Sequence, residues 1–220
     1  MSAMAIPPKA TVRTHVLVPL RLADGFATTA RVFTFTGLVD GREHLAFALG
    51  DRAAAVTRDR HEGPPPLVRL HSECLTGDVL GSERCDCGPQ LGEAVRRIAE
   101  VGGYLLYLRQ EGRGIGLYAK VDAYALQDTG LDTYEANLAL GYAADERDYT
   151  PGAQMLLALG VDRAALLTNN PDKVAQLTSL GIDVTKRVAT GVHLTPVNAA
   201  YLAAKVDRGA HTLTEPLDAG

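Results

Sequence analysis

All three cysteines of the chain lie within residues 71–88, in the stretch HSECLTGDVLGSERCDCG. One residue separates Cys85 from Cys87, and ten residues separate Cys74 from this pair. Two thiolates at the closer spacing can bind one metal ion from a tight turn, and Gly88 lets the backbone fold back behind them. Zinc suits thiolate ligands, at Zn–S distances of about 2.3 Å. Three protein ligands leave one tetrahedral position open for water, which is typical of a catalytic metal site.

Three other interpretations of the cysteines compete with a catalytic metal site. A disulfide is disfavoured because Cys-x-Cys closes on itself poorly, the number of cysteines is odd, and we expect a reducing environment. Buried cysteines are often inert apolar residues, but three at this spacing, flanked by charged side chains, favour a metal. A structural site with His71 as a fourth ligand stays open from the sequence alone.

Three polar segments lie where strands or helices are predicted to end: LRQEGRGIGL (108–117), AADERDYTPG (143–152) and LLTNNPDKV (166–174). They supply cations of the kind that a polyphosphate needs, namely Arg109, Arg113, Arg147 and Lys173. The backbone amides of a glycine-rich turn can add an anion-binding nest. Each segment alone is a common turn, solvated face or helix cap. Together with a metal site, they predict an enzyme that acts on a nucleoside triphosphate.

Hydrophobic periodicity predicts the elements that must position these residues. Strands are predicted over 11–20, 29–38, 43–50 and 67–71. Helices and strands then alternate: a helix over 91–101, a strand over 104–110, a helix over 115–128, a helix with a capping box from Asp132 to Glu135, a helix capped by Thr150 before Pro151, a strand over 164–169, a helix capped by Asn170 before Pro171, a strand over 182–188 and a final helix over 198–210. We predict an α+β (mixed α/β) fold in which a β-rich N-terminal part packs with a C-terminal layer of alternating strands and helices.

Composition limits the possible classes of protein. The 220 residues, 46% of them hydrophobic, suit one domain, which we place at 11–211 between a flexible tail at 1–10 and a second tail at 212–220. The net charge of −4 and the pI of about 5.9 argue against a basic surface that binds nucleic acid. No apolar run approaches the roughly 18 residues that span a bilayer, and no secretory signal pattern is visible. We expect a cytoplasmic protein that binds neither nucleic acid nor membranes.

The ordered motifs resemble those of the GTP cyclohydrolase II family. They are RLHSECLTGD, SERCDCG, RQEGRGIGL, AYALQD, ADERDY and LLTNNP, and the resemblance runs from about Asp24 to His211. It implies hydrolysis of GTP to formate, diphosphate and 2,5-diamino-6-(5-phosphoribosylamino)pyrimidin-4(3H)-one, which is the first step of riboflavin biosynthesis. It also implies one zinc ion per chain, Mg²⁺ bound with the triphosphate, and a homodimer.

The resemblance implies roles for the residues at matching positions. The metal ligands would be Cys74, Cys85 and Cys87. The substrate-binding residues would be Arg69, Leu70, His71, Ser72, Glu73, Gln90, Glu111, Gly112, Arg113, Thr133, Thr168 and Lys173, of which Glu111, Gly112, Arg113, Thr168 and Lys173 would hold phosphates. The catalytic residues would be Asp145 as proton acceptor, Arg147 at the α-phosphate and Tyr124 near the ring-opening centre.

Several functional alternatives stay open from the sequence. Arg147 is either a covalent nucleophile or a transition-state clamp, and a guanidinium with a pKa above 12 is a poor nucleophile. The same chemistry could serve a specialised-metabolite pathway or stop at the formylated intermediate. A hydrolase of another purine triphosphate is a further alternative. A non-catalytic GTP sensor is the rival from another class, but it would not need an open metal position.

Overall fold

The computed structural model describes residues 6–54, 63–199 and 201–204. In chain order the elements are β1 (Thr11–Arg21), β2 (Ala27–Thr36), β3 (Leu45–Leu49), α1 (Asp51–Ala54), β4 (Leu67–Ser72), α2 (Leu75–Asp78), α3 (Cys87–Val101), β5 (Gly103–Leu108), a 3₁₀ turn (Glu111–Gly114), α4 (Leu117–Gln127), α5 (Thr133–Ala139), α6 (Thr150–Ala158), β6 (Arg163–Leu167), α7 (Pro171–Ser179) and β7 (Asp183–Val188). Residues 201–204 are helical, and the rest of the predicted final helix, 205–210, lies outside the described residues.

The described strands form one mixed sheet in the order β1-β2-β3-β5-β4-β6-β7. The pairs from β1 through β3 to β5 are antiparallel, whereas those from β5 through β4 and β6 to β7 are parallel. The predicted mixed α/β class is therefore confirmed, and the β-rich N-terminal part joins the alternating part edge to edge through β3 and β5. The carboxyl ends of β4, β5 and β6 lie together at one edge, where parallel sheets usually place a binding site.

Alternation along the central strands builds a core on both faces of the sheet. In β5, Leu106 and Leu108 join one apolar cluster with side chains of α6 and α7. The intervening Leu105 joins a second cluster with side chains of α3. Leu70 of β4 lies in the first cluster and is fully buried. Burying a leucine stabilises the fold by about 1.5–3 kcal/mol, so the two clusters hold the ends of these strands firmly in place.

Side-chain caps of the kind predicted from the sequence are present at the starts of α5 and α7. The capping box between Asp132 and Glu135 is present at α5, and the Asn170 side chain accepts a backbone hydrogen bond at the start of α7. Helix α6 differs from the prediction by one residue, because Thr150 is its first residue and not its cap. The carboxylate of Asp148 accepts the hydrogen bond from the Thr150 backbone N–H at 2.8 Å, so it supplies the oxygen that was expected from Thr150.

Helix α3 begins inside the cysteine cluster. Apolar periodicity predicts a start near 91, but the helix begins at Cys87 and ends before Gly102, whose φ is 83°. The third thiol therefore lies at the positive end of a helix, where the peptide dipoles favour negative charge.

The chain ends are only partly described. Residues 6–10 carry no helix or strand, and the Pro8 carbonyl accepts a hydrogen bond from Gln154 Nε2 at 2.7 Å. Residues 1–5 and the predicted tail at 212–220 lie outside the described residues, so the domain limits stay a prediction. Within the described ranges, no helix combines the length and apolar character needed to cross a bilayer.

Candidate active site

A cleft opens at the carboxyl ends of β4, β5 and β6 and encloses about 1080 Å³, part of it open to solvent. The segment after β4 brings the cysteines, and the 3₁₀ turn after β5 brings Arg113. The segment after β6 brings Thr168 and Lys173. Segments that are far apart in sequence meet here because these parallel strands end at the same edge of the sheet.

The three cysteines form a compact cluster at the wall of this cleft. Their Sγ atoms lie within 4.8 Å of one another, and Cys74 Sγ is 3.7 Å from Cys85 Sγ. Cys74, Cys85 and Cys87 are free thiols, and a disulfide would need an S–S distance of about 2.05 Å. Two thiolates bound to one zinc ion at the tetrahedral angle would lie about 3.8 Å apart. The cluster therefore fits such an ion, and it is the one His, Cys, Asp and Glu group among the described residues that could hold a metal.

Gly77 allows the thiols to close over the backbone. A Cβ atom at this position would lie 2.8 Å from Cys85 Sγ and 3.1 Å from Cys74 Sγ. A Cβ atom at Gly88 would lie 2.4 Å from the Gly77 carbonyl oxygen, so the backbone at this point also requires glycine at position 88. The compactness of the cluster depends on the missing side chain at Gly77.

The thiols share negative charge unequally. Hydrogen bonds from Cys85 and Cys87, with a contribution from the positive charge of Lys120, hold the pKa of Cys74 far below its usual range. The hydrogen bond between Cys74 and Cys85 raises the pKa of Cys85 to about 11. The ammonium of Lys120, 3.1 Å from Cys74 Sγ, favours the thiolate form of this cysteine.

Asp78 fixes the turn that carries Cys74. Its carboxylate accepts hydrogen bonds from the Cys74 backbone N–H at 3.0 Å and from the Tyr107 hydroxyl at 2.8 Å. His71 Nε2 lies 3.0 Å from the same carboxylate, whose side chain is only 2% exposed. Leaving a buried donor without its partner costs about 1–3 kcal/mol, so this carboxylate ties β4, the turn that carries Cys74 and β5 together.

His71 is not part of the group of described residues whose ligand atoms lie close enough together to hold one metal ion. Its Nε2 is engaged by Asp78, and its Nδ1 is buried without a partner. Burial lowers the pKa of His71, so the ring is neutral at pH 7. With the Nε2 proton directed to Asp78, Nδ1 carries a lone pair at the wall of the cleft. The alternative of a structural site with four protein ligands finds no support here.

Arg147 and Asp145 form an ion pair in the loop before α6. Arg147 Nε donates to Asp145 Oδ1 at 2.8 Å, and Arg147 Nη2 contacts Oδ2 of the same carboxylate. Burial alone would lower the pKa of Arg147, but interactions with Tyr149 and Asp145 outweigh it and raise the pKa above its usual value. Burial alone would raise the pKa of Asp145, but the hydrogen bonds from Arg147 lower it. Both side chains are therefore charged at neutral pH.

The other cations of the cleft are fixed by different means. Lys173 is buried, and its Nζ donates to the Leu70 carbonyl oxygen at 2.7 Å. Arg113 has a φ of 62°, which is uncommon for a residue other than glycine. Its guanidinium lies over the ring of Tyr134, 4.0 Å from the ring centre. Such a backbone conformation persists only where the surroundings impose it, and here it places Arg113 at the cleft.

Nearly all predicted site residues line the cleft, and two do not. The Leu70 side chain lies in the core, so that only its carbonyl group faces Lys173. Asp145 lies behind the lining and contacts Arg147. Arg109, which was expected among the polyphosphate cations, also lies outside the lining, and its Nε donates to Glu73 at 2.8 Å.

Sequence reasoning missed several residues that line the cleft. Lys120 comes from α4 and Tyr201 from the last helical segment, and both lie outside the polar motifs. Burial raises the pKa of Tyr201 well above its usual value, so its hydroxyl keeps its proton. Gln110 lies within the motif RQEGRGIGL and could have been found there; its Nε2 contacts the Asp148 carbonyl oxygen.

Comparisons with known proteins agree on one family. A family model described as GTP cyclohydrolase II matches residues 17–189. GTP cyclohydrolase-2 of Vibrio vulnificus is 52% identical over 184 residues, which is 84% of this chain and 89% of the relative. GTP cyclohydrolase-2 of Psychromonas ingrahamii is 44% identical over 205 residues, 93% of this chain and 98% of the relative. The riboflavin biosynthesis protein RibBA of Bacillus subtilis is 51% identical over 186 residues, which cover 84% of this chain and 45% of that longer protein.

The packing of the thiols against Gly77 is testable without any assay of activity. The Gly77→Ala variant should bind Zn²⁺ or Co²⁺ about tenfold more weakly or worse, because the added methyl group displaces two of the sulfur atoms. Competition with a chromophoric chelator measures the affinity. The control is Gly92→Ala in α3, where the nearest atoms to a Cβ are flexible side-chain atoms at 3.3 Å or more. Equal metal affinity in the two variants would contradict this account of the cluster.

Proposed function

This chain belongs to the GTP cyclohydrolase II family, and from that premise we propose that it uses zinc at Cys74, Cys85 and Cys87 to open the imidazole ring of GTP. The products would be formate, diphosphate and 2,5-diamino-6-(5-phosphoribosylamino)pyrimidin-4(3H)-one. One observation carries the proposal: the three thiols and the cations Arg113 and Arg147 line a single cleft. Relatives named riboflavin biosynthesis proteins support the first step of that pathway over a specialised-metabolite pathway.

The metal half of the cleft would carry out the ring chemistry. Zinc held by these cysteines would supply Lewis acidity, which would bring the pKa of a water molecule close to neutral and so provide a nucleophile for C8 of the guanine. One water opens the ring at C8, and a second releases formate from the resulting formamide. The Tyr124 hydroxyl lies 3.3 Å from Thr76 Oγ1, and burial raises its pKa. It therefore stays protonated and can donate a hydrogen bond to the oxygen that develops at C8.

The phosphate half would release diphosphate with a third water. Arg113, Thr168 and Lys173 would hold the triphosphate together with Mg²⁺, since phosphoryl transfer depends on positioning and charge stabilisation. We assign Arg147 the role of a clamp at the α-phosphate. Its raised pKa and its pairing with Asp145 keep the guanidinium protonated, and a protonated guanidinium has no lone pair for nucleophilic attack. Asp145 remains ionised and is available as a proton acceptor.

The remaining residues would complete the nucleotide site and hold its parts in register. Arg69 Nη2 donates to Gln90 Oε1 at 2.7 Å, and Arg69 Nε is buried without a partner at the cleft wall. His71 Nδ1 is a second unpaired polar atom there. Buried polar atoms of this kind are usually satisfied by a ligand or by water. The other residues in the proposed site are Leu70, Ser72, Glu73, Glu111, Gly112 and Thr133.

The organisation of the protein follows from the same proposal. Residues 11–211 would form one cytoplasmic catalytic domain between tails at 1–10 and 212–220.

A sensor that only binds GTP is a weaker interpretation, because it would need neither an open metal position nor the Arg147–Asp145 ion pair. Two-fold pairing is the commonest assembly of soluble enzymes, and we propose a homodimer.

The two chemistries should be separable by mutation. Cys85→Ser should lose zinc and formate release, while the phosphate half still produces diphosphate slowly from GTP. Arg147→Ala should lower diphosphate release by about 10²–10³-fold, because a positioned charge at the reacting phosphate is gone. Separate assays of formate and diphosphate, with mass spectrometry of the nucleotide products, measure both effects.

Two controls make this test specific. Arg13→Ala changes an exposed arginine of β1 and should leave both rates unchanged. Arg147→Lys keeps a positive charge and should retain more diphosphate release than Arg147→Ala. Full zinc occupancy in Cys85→Ser would refute the metal ligands, and normal release of both products by Arg147→Ala would refute the phosphate assignment.

The proposed dimer has a direct measurement. Static light scattering at micromolar concentrations should give about twice the chain mass of 23.4 kDa. A mass equal to that of one chain across this range would reject the dimer and leave the site proposal unaffected.

A further inference from the structure

Lys120 is a buried cation that belongs to neither the predicted ligands nor the predicted phosphate cations. It lies in α4, its side chain is 11% exposed, and its Nζ contacts three groups. These are Cys74 Sγ at 3.1 Å, Thr76 Oγ1 at 2.9 Å and Glu111 Oε1 at 2.8 Å. An ammonium has three N–H donors, so all of them are engaged inside the protein and none is left for a phosphate.

The position of Lys120 is imposed by packing as well as by charge. A Cβ atom at Gly112 would lie 3.1 Å from Lys120 Cβ, so the glycine-rich turn fits closely against the base of the lysine side chain. Glu111, in the same turn, also accepts hydrogen bonds from the backbone N–H of Leu75 at 2.7 Å and from that of Gly112 at 3.1 Å. Glu111 and Lys120 thus join the turn after β5 to the turn that carries Cys74.

We propose that Lys120 is a positioning residue for the metal centre, which holds Cys74 Sγ in its ligating orientation and couples this thiolate to the glycine-rich turn through Glu111. The inference rests on the proposed metal site and adds to it a residue that touches the ligand rather than the ion. Partners of this kind orient metal ligands and tune the metal, and their loss commonly costs about 10–100-fold in affinity or activity.

The charge of Lys120 gives this role a spectroscopic consequence. Three thiolates and one divalent ion carry a net negative charge, which a buried ammonium 3.1 Å from Cys74 Sγ stabilises. An N–H donor directed at sulfur also lowers the energy of the sulfur lone pairs. Charge transfer from sulfur to a bound transition metal then needs more energy with Lys120 present than without it.

The test uses the whole protein loaded with Zn²⁺ or with Co²⁺, which reports its ligands through visible absorption. Lys120→Met keeps the length of the side chain without its charge, and Lys120→Arg keeps the charge. Lys186→Met, on an exposed position of β7, is the matched control. We expect zinc affinity to fall about 10–100-fold in Lys120→Met, with the sulfur-to-cobalt band at longer wavelength. Lys120→Arg should retain a band close to that of the parent, and Lys186→Met should match the parent in both measurements.

Each outcome decides a different point. A parent protein without a sulfur-to-cobalt band would contradict the proposed metal site itself. A parent with this band and a Lys120→Met variant with unchanged affinity and absorption would overturn only the role of Lys120. Circular dichroism of the variants shows whether Lys120→Met has lost its fold. If it has, the Lys120→Arg variant provides the test, since it keeps the positive charge. A sulfur-to-cobalt band at longer wavelength in Lys120→Arg would also overturn the inference.

Discussion

The buried carboxylate of Asp78 is the constraint on which the arrangement of the site depends. It lies 3.0 Å from His71 Nε2 of β4, and it accepts hydrogen bonds from the backbone N–H of Cys74 and from the hydroxyl of Tyr107 in β5. These contacts set the position of the turn that carries Cys74 relative to two neighbouring parallel strands. The thiols can then close over Gly77, and the same strand ends direct the glycine-rich turn and the segment after β6 toward the thiols.

Two of the cations at the cleft, Lys120 and Arg147, are already paired with carboxylates before any ligand is considered. Lys120 contacts Glu111 and Cys74, and Arg147 contacts Asp145. Buried ions are costly unless they are paired with good geometry and hydrogen-bonded, and each of these ions meets that condition. Pairing also fixes the orientation of each group at the cleft. The unpaired polar atoms at the wall, including Arg69 Nε, are those left for a ligand.

Sequence patterns predicted most of the elements because caps and apolar alternation act over short distances along the chain, as the cap at Asp132 does. The candidate site residues came from the motif resemblance, which also included Leu70, although its side chain lies in the core. The residues that were missed come from elements packed against the motifs in three dimensions. Lys120 lies 46 positions after the thiol it contacts, and no periodicity or spacing encodes that contact. Arg109 was wrongly expected at the phosphates, although it lies inside a motif. Its position in the motif does not specify whether its side chain points into the cleft or away from it.

The central claim is that three thiolates bind one metal ion and leave one position open beside the nucleotide site. X-ray absorption at the zinc K-edge of the purified protein tests it most directly, because it measures the number, the element and the distance of the ligand atoms. The account predicts three sulfur atoms at about 2.3 Å and one oxygen or nitrogen atom at about 2.0 Å that lacks the multiple scattering of an imidazole ring. A fourth protein ligand, such as an imidazole or an additional sulfur, or fewer than three sulfur atoms, would contradict it.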